Sequence, residues 1–189
     1  MKIPVAIILD EMKIQCWQQH SLNIASDLID VKLILNCTNT RTKKNYIQNF
    51  FYYLLNIFSM KSHINRSISF SNQEIRVLEF NSEYDGIWQA IPLNTISELK
   101  KEKIKLVIKF GMNLLSISNE LKGIDIMSFH HGDPDQFRGR PACFYETLLG
   151  AKKVGAVVQL LSNKLDGGRI VAKGFSTIYK YSYKKTLMN

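Results

Sequence analysis

The chain predicts an α/β fold, an open and mostly parallel twisted sheet flanked by helices, built as a single domain. Three observations carry that expectation. Short runs of apolar, largely β-branched residues recur along the chain, as strands buried on both faces require. Segments of helical period lie between them. The composition, 46% hydrophobic over 189 residues, suffices for one substantial core, and no linker-like or low-complexity stretch divides it.

The elements follow in order. Val5 to Leu9 form the first strand. That run stops at Asp10 and lacks a small-residue cleavage site, so it is expected to be a strand and does not read as a signal peptide. Residues 17–28 have helical spacing, with Trp17, Ile24 and Leu28 on one face, and residues 31–35 return as a strand. A strand-helix-strand opening of this kind implies a right-handed crossover. Residues 75–80 form another strand and 91–103 a helix with Asn94 as its cap. Residues 106–110 make a strand that turns at Gly111, and residues 125–129 make one that ends at two histidines. A helix over 142–149 stops at Gly150, and residues 154–161 rejoin the sheet. Residues 169–172 and 176–179 are later strands. Residues 183–189 begin a helix and run out, so the chain is expected to be a truncated form of something longer.

Charge and cysteine usage narrow the function classes. The formal net charge of +9 favours anionic partners such as nucleotides, polyglutamylated cofactors, phospholipid or RNA, or else serves solubility alone. The basic residues do not lie along one recognition helix, so no specific nucleic acid is expected. Cys16, Cys37 and Cys143 are odd in number and far apart, without C-x-x-C or a zinc-type His/Cys spacing. A reducing, cytoplasmic setting and no metal follow. No G-x-G-x-x-G follows the first strand and no Walker pattern occurs, which argues against dinucleotide-dependent or nucleotide-hydrolysing chemistry.

Residues 41–66 differ from the rest. Arg41, Lys43 and Lys44 precede an aromatic run through Tyr46, Phe50, Phe51, Tyr52, Tyr53 and Phe58, Lys61 and Arg66 follow, and no acidic residue interrupts. The run is too short and too broken to cross a bilayer, which takes about 20 apolar residues. This basic aromatic insertion, at about residues 41–70, either packs on its own domain or docks on a membrane surface or partner through 41–66.

The chemistry gathers at strand ends, where ligands of open α/β sheets bind. The turns after Phe110, Phe129 and Leu161 are the places to look. Residues two apart on a strand share a face, so Ser128 and His130 present a hydroxyl and an imidazole side by side. His131 faces the other way unless the strand has already ended. Five pieces stand in sequence: Phe110-Gly111-Met112-Asn113-Leu114-Leu115, Ser128-Phe129-His130, Arg138-Gly139, the strand from Val154 to Val158, and Leu165-Asp166-Gly167-Gly168. Glu146 to Gly150 supply a helix end before that strand.

This order resembles the folate-dependent formyltransferases, whose pattern is Asn-x-His, a loop often bearing Arg-Gly, a helix, a strand and then Asp-x-Gly. The likeness is clear over about residues 104–173, weaker over the first strands and largely absent from 41–70. It implies a Rossmann-like formyltransferase domain over residues 1–189 that moves a formyl group from 10-formyltetrahydrofolate to a primary amine. The implied acceptor is a nucleotide-linked amino sugar, as in surface-polysaccharide synthesis; glycinamide ribonucleotide stands behind it. By the same likeness, the catalytic residues are His130, Asp166 and Ser128. His130 donates a hydrogen bond to the tetrahedral oxyanion, and Asp166 orients the imidazole and helps carry the amine proton away. Phe110, Gly111, Met112, Leu114, Leu115, Leu165, Gly167 and Gly168 would hold the folate, and His131, Asp133, Arg138 and Arg140 the acceptor.

Read without the resemblance, the same residues have plainer roles. His130 is then an interior histidine and Asp166 a turn former beside glycines. Asp133 is a solvated turn residue, and Arg138 or Arg140 makes a local ion pair instead of gripping a phosphate or carboxylate.

The chain departs from the pattern at Ser128, where family members carry asparagine as a second oxyanion donor. Three consequences are open: altered donor geometry, a second donor from His131, or a weakened enzyme. Two further function classes therefore stand beside the enzyme. One is a weak or inactive member that binds folate or a sugar nucleotide; the other is a charge-driven RNA- or membrane-binding protein. Self-association as a homodimer is also open.

Overall fold

Among the described residues nine strands form one sheet, and its strand order places the histidines at the end of an inner strand. The computed structural model describes residues 2–39, 66–70, 74–133, 136, 143–164, 167–180 and 182–188. The elements begin with β1 (Ile3–Asp10), β2 (Lys13–Gln15), helix α1 (Cys16–Ile24) and β3 (Ile29–Cys37). Next come β4 (Ser67–Ser69), β5 (Arg76–Phe80), β6 (Glu83–Asp85), β7 (Trp88–Ala90) and α2 (Leu93–Lys101). Then follow β8 (Leu106–Lys109), β9 (Leu114–Leu115), β10 (Asp125–His131), α3 (Phe144–Leu148), β11 (Lys153–Leu160), β12 (Arg169–Thr177) and α4 (Tyr183–Met188).

Parallel pairings join β5, β3, β1, β8 and β10 in that order, and β11 and β12 continue the sheet antiparallel. The mixed α/β sheet is thus the one expected, with a parallel centre. Strand β1 sits in the middle, which explains its sequence: Val5, Ala6, Ile7, Ile8 and Leu9 are all fully buried. Their side chains alternate between two cores. Ala6 and Ile8 join Leu33, Leu35, Ile96, Leu99, Val107 and Ile126 under α2. Val5, Ile7 and Leu9 join Ile14, Leu22, Ile34 and Ile108 under α1. Each fully buried large aliphatic side chain contributes about 1.5–3 kcal/mol.

Several details depart from the sequence reading. Ile24 and Leu28 are exposed, and Leu22 is the apolar residue of α1 that is buried. The helix ends in a 3-10 turn over Ala25–Asp27, which rotates Leu28 out to solvent. Helix α2 is preceded by Pro92 at its N-cap; Asn94 lies inside the first turn, where its Oδ1 accepts from the Thr95 N–H at 2.8 Å. The two late strands are one, β12, whose pairing with β11 runs on past Ala172. The three-residue strands β2 and β4 pair with each other, and β6, β7 and β9 form a second small sheet. Runs this short carry no periodicity to read. The segment 41–65, together with Arg138, Arg140, Leu165 and Asp166, lies outside the described residues. The tail of the basic insertion is described: the Cys16 N–H donates to the Arg66 carbonyl at 3.1 Å, and the Phe70 N–H to the Met12 carbonyl at 2.8 Å.

Candidate functional site

Strand β10 delivers the central residues. Ile126 belongs to the α2-side core and Met127 packs on the α1 side, so the period of two sends Ser128 and His130 to the α2 side. The strand continues through His131, whose ring meets Trp17 edge-on at 5.5 Å on the opposite side. Trp17 also meets Phe129 at 5.4 Å and Phe110 at 6.0 Å, and Phe110 stacks on Phe129 at 5.5 Å. Ser128 and His130 thus share one face, whereas the rings of His131 and Phe110 are bound into an aromatic cluster on the other. His131 is therefore poorly placed to replace the missing asparagine. Within the Ser128–His130 pair, the His130 Nε2 is buried and finds no hydrogen-bond partner among the described residues.

The turn after β8 is fastened to β1 so tightly that only glycine fits. A Cβ on Gly111 would stand 2.6 Å from the Asp10 Oδ1 and 2.6 Å from the Leu9 carbonyl carbon. The same Oδ1 accepts from the Met112 N–H at 2.8 Å, which holds Met112 at a φ of 59°. Lys109 Nζ donates to the Met112 carbonyl at 3.1 Å. One residue on, the Asn113 N–H donates to Gln89 Oε1 at 2.6 Å. Gln89 is wholly buried, and its Nε2 donates to Ser82 Oγ at 2.8 Å and Tyr84 Oη at 3.0 Å. Met112 and Leu115 point into the α2-side core, and Leu114 is half-buried. The segment 111–115 therefore presents a braced backbone more than side chains.

The loop after β11 is tied to the chain two residues past this segment. Asn163 grips Ile117 twice, accepting from its N–H at 2.6 Å and donating to its carbonyl at 2.7 Å. Ser162 Oγ donates to the Gly167 carbonyl at 3.1 Å. A Cβ on Gly168 would stand 2.6 Å from the Leu160 carbonyl oxygen, so that turn also lies against a strand end. The two stretches assigned to folate are thereby linked, with Gly167 and Gly168 described and Leu165 and Asp166 not.

Asp133 is buried and ion-paired with Lys173 at 2.6 Å, with its backbone folded over Gly155. It anchors the chain leaving β10 to β12. Cys143 enters α3 at a φ of 62°, and burial, with a smaller contribution from Glu146, pushes its thiol up to about 11. A cavity of about 460 Å³ is lined by Trp17, Phe129, His130, His131, Ala156 and Val158, among others. Its walls belong mainly to the α1 face, so it is not simply the space in front of Ser128. Among the described residues no group of His, Cys, Asp or Glu could hold a metal, and no helix is long and apolar enough to cross a membrane.

Sequence reasoning missed Asp10, Gln89 and Asn163, which brace the site from other elements. Asp10 carried a signal, an acid directly after five buried apolar residues. Gln89 and Asn163 carried none, because the backbone groups they hold in this region, the Asn113 N–H and both polar groups of Ile117, lie 24 and 46 residues away in sequence.

No family model and no curated protein matches the chain. Solved structures do match in fold. A phosphoribosylglycinamide formyltransferase from Bacillus halodurans aligns with a TM-score of 0.59 at 15% identity, over 98% of this chain and 85% of that one. Glycinamide ribonucleotide transformylase 1 from Geobacillus kaustophilus aligns with a TM-score of 0.61 at 15% identity, over 100% and 89%. A formyltetrahydrofolate deformylase from Pseudomonas putida aligns with a TM-score of 0.59 at 17% identity, over 100% of this chain and 59% of that one. The chain has the formyltransferase fold.

Proposed function

We propose that this chain transfers a formyl group from 10-formyltetrahydrofolate to a primary amine. The observation that carries the reading is the buried, unpartnered Nε2 of His130 beside Ser128 at the carboxyl end of β10. In a formyltransferase fold, that is where a donor to a developing oxyanion is useful. Attack of the amine on the formyl carbon forms the carbon–nitrogen bond and puts negative charge on the formyl oxygen. His130 donates a hydrogen bond there, and collapse of the intermediate expels the folate nitrogen. Asp166 takes the role of orienting the imidazole and receiving the amine proton, directly or through water. The braced backbone of 111–115 and the glycines 167 and 168 form the folate cradle, where Gly111 and Gly168 leave no room for side chains.

The acceptor we favour is a nucleotide-linked amino sugar, with Arg138 and Arg140 available to its phosphates. The net charge of +9 suits such an anionic carrier. A cytoplasmic setting rests on three cysteines that form no disulfide. A second reading, a weak or inactive binder of folate or a sugar nucleotide, is favoured by Ser128, whose hydroxyl is shorter than the family amide. Calorimetry with 5-formyltetrahydrofolate tests the common premise. Saturable binding that survives His130→Ala supports a folate site, and no binding at millimolar ligand by a folded sample refutes it. Turnover that rises in Ser128→Asn then identifies a weakened enzyme.

A further inference from the structure

We infer that Gln159 supplies the second oxyanion donor that Ser128 cannot, an assignment that rests on the formyl-transfer reading. In the antiparallel pairing of β10 with β11, Gln159 stands directly opposite Ser128, and Val157 opposite His130. Residues opposite each other share a face, with Cβ atoms about 4.5–5.5 Å apart, and the diagonal neighbour lies about 7–8 Å away. Gln159, Ser128 and His130 are therefore three corners of one patch.

The local chemistry fits a donor. Gln159 and Ser128 are each only 9% exposed. The Gln159 carboxamide makes no hydrogen bond to any described residue, and it is not among the fully buried unpartnered groups, so its N–H donors can turn to a ligand without breaking a bond within the described fold. Its place is set by Gly168: a Cβ there would lie 3.1 Å from Gln159 Oε1 and 3.2 Å from its Cδ. The carboxamide thus rests on the glycine turn assigned to folate.

The competing donors are engaged elsewhere. Lys109, the neighbour of Ser128 on the β8 side, donates to the Met112 carbonyl at 3.1 Å. His131 is stacked edge-on against Trp17 across the sheet. Glutamine carries the same amide as the family asparagine on a side chain one methylene longer. That extra length suits a donor reaching in from the adjacent strand. Serine at 128 removes the side chain that would otherwise occupy the space between.

The test separates transition-state from ground-state recognition and needs no knowledge of the acceptor. Two ligands are titrated calorimetrically into the full chain. One is 5-formyltetrahydrofolate, whose formyl group is planar. The other is a folate analogue with an aldehyde carbon at the formyl position, which hydrates to a tetrahedral gem-diol. Gln159→Ala, and Gln159→Leu to retain the packing, are each expected to weaken the gem-diol ligand about 10- to 100-fold. Binding of 5-formyltetrahydrofolate should stay within about twofold, and Ser128→Asn added to either variant should restore the gem-diol affinity. Unchanged affinity for the gem-diol ligand, or equal weakening of both ligands, overturns the assignment and leaves the folate site standing. A wild-type chain that binds neither ligand overturns the formyl-transfer reading and the assignment with it.

Discussion

An imidazole nitrogen buried without a partner is a cost to the folded state, and on the proposed formyl-transfer reading a substrate oxygen at His130 would remove it. His130→Ala should therefore lower formyl transfer by about 10²–10³, the usual loss for one oxyanion donor. Binding of 5-formyltetrahydrofolate should change little, and a parallel loss of binding would assign His130 to the cradle instead. The same scale separates the cysteines. Burial, and less strongly Glu146, hold the Cys143 thiol protonated to about pH 11, against 9.0 unperturbed. The unfolded chain loses that proton first as pH rises, so this contribution to stability is complete below pH 9 and fades toward pH 11. Alkylation at pH 8 should label half-buried Cys16 ahead of Cys143 in the native protein; mass spectrometry showing Cys143 labelled first would contradict this. Ser128 and His130 were legible from the sequence because the strand period alone puts them together. Gln159 was not, since its place opposite Ser128 depends on the register of two antiparallel strands far apart in sequence.

Elements, by contrast, were legible in proportion to their length. The apolar run of β1 announced a central strand, whereas β2, β4, β6, β7 and β9 are three residues or fewer and exist through their pairings. The irregular turn after β8 matters most for the site, and its sequence showed only a glycine. Its necessity lies in Asp10 and Leu9 on the neighbouring strand. Gly111→Ala should displace 111–115, costing about 1–3 kcal/mol as overpacking against backbone atoms and abolishing folate binding. Gly174→Ala on β12 is the matched control, because a Cβ there meets nothing within 4 Å. Chemical denaturation and calorimetry on both variants check the contrast, and equal stabilities would show that the turn yields. Asn163→Ala removes both hydrogen bonds to Ile117 and should weaken binding of 5-formyltetrahydrofolate more than it lowers stability.

At the scale of the whole molecule, the apolar strand runs identified the fold class, but strand order is a property of tertiary pairing and no local pattern encodes it. That order has a consequence for the site. The parallel centre ends at β10, and β11 and β12 follow as an antiparallel margin, with Ile170, Val171 and Phe175 of β12 substantially exposed. The patch of Ser128, His130 and Gln159 thus lies where a well-packed centre meets a thinly covered edge. The buried carboxylate of Asp133, just past His131, reaches across that margin to Lys173, which also lies over the Phe175 ring at 5.4 Å. Removing one partner of a buried ion pair is more damaging than replacing both, because the remaining charge stays desolvated. Lys173→Met should destabilise the chain by about 1–3 kcal/mol in urea, discounted because Lys173 keeps some contact with water. Asp133→Asn combined with Lys173→Met should recover much of that loss. If the pair also fixes the exit from β10, the single variant will weaken binding of the gem-diol ligand as well, and the double variant will restore stability without restoring affinity. Full recovery of both would mean that β12 supports the sheet alone and that His130 is held in place by β10 and β11 without it.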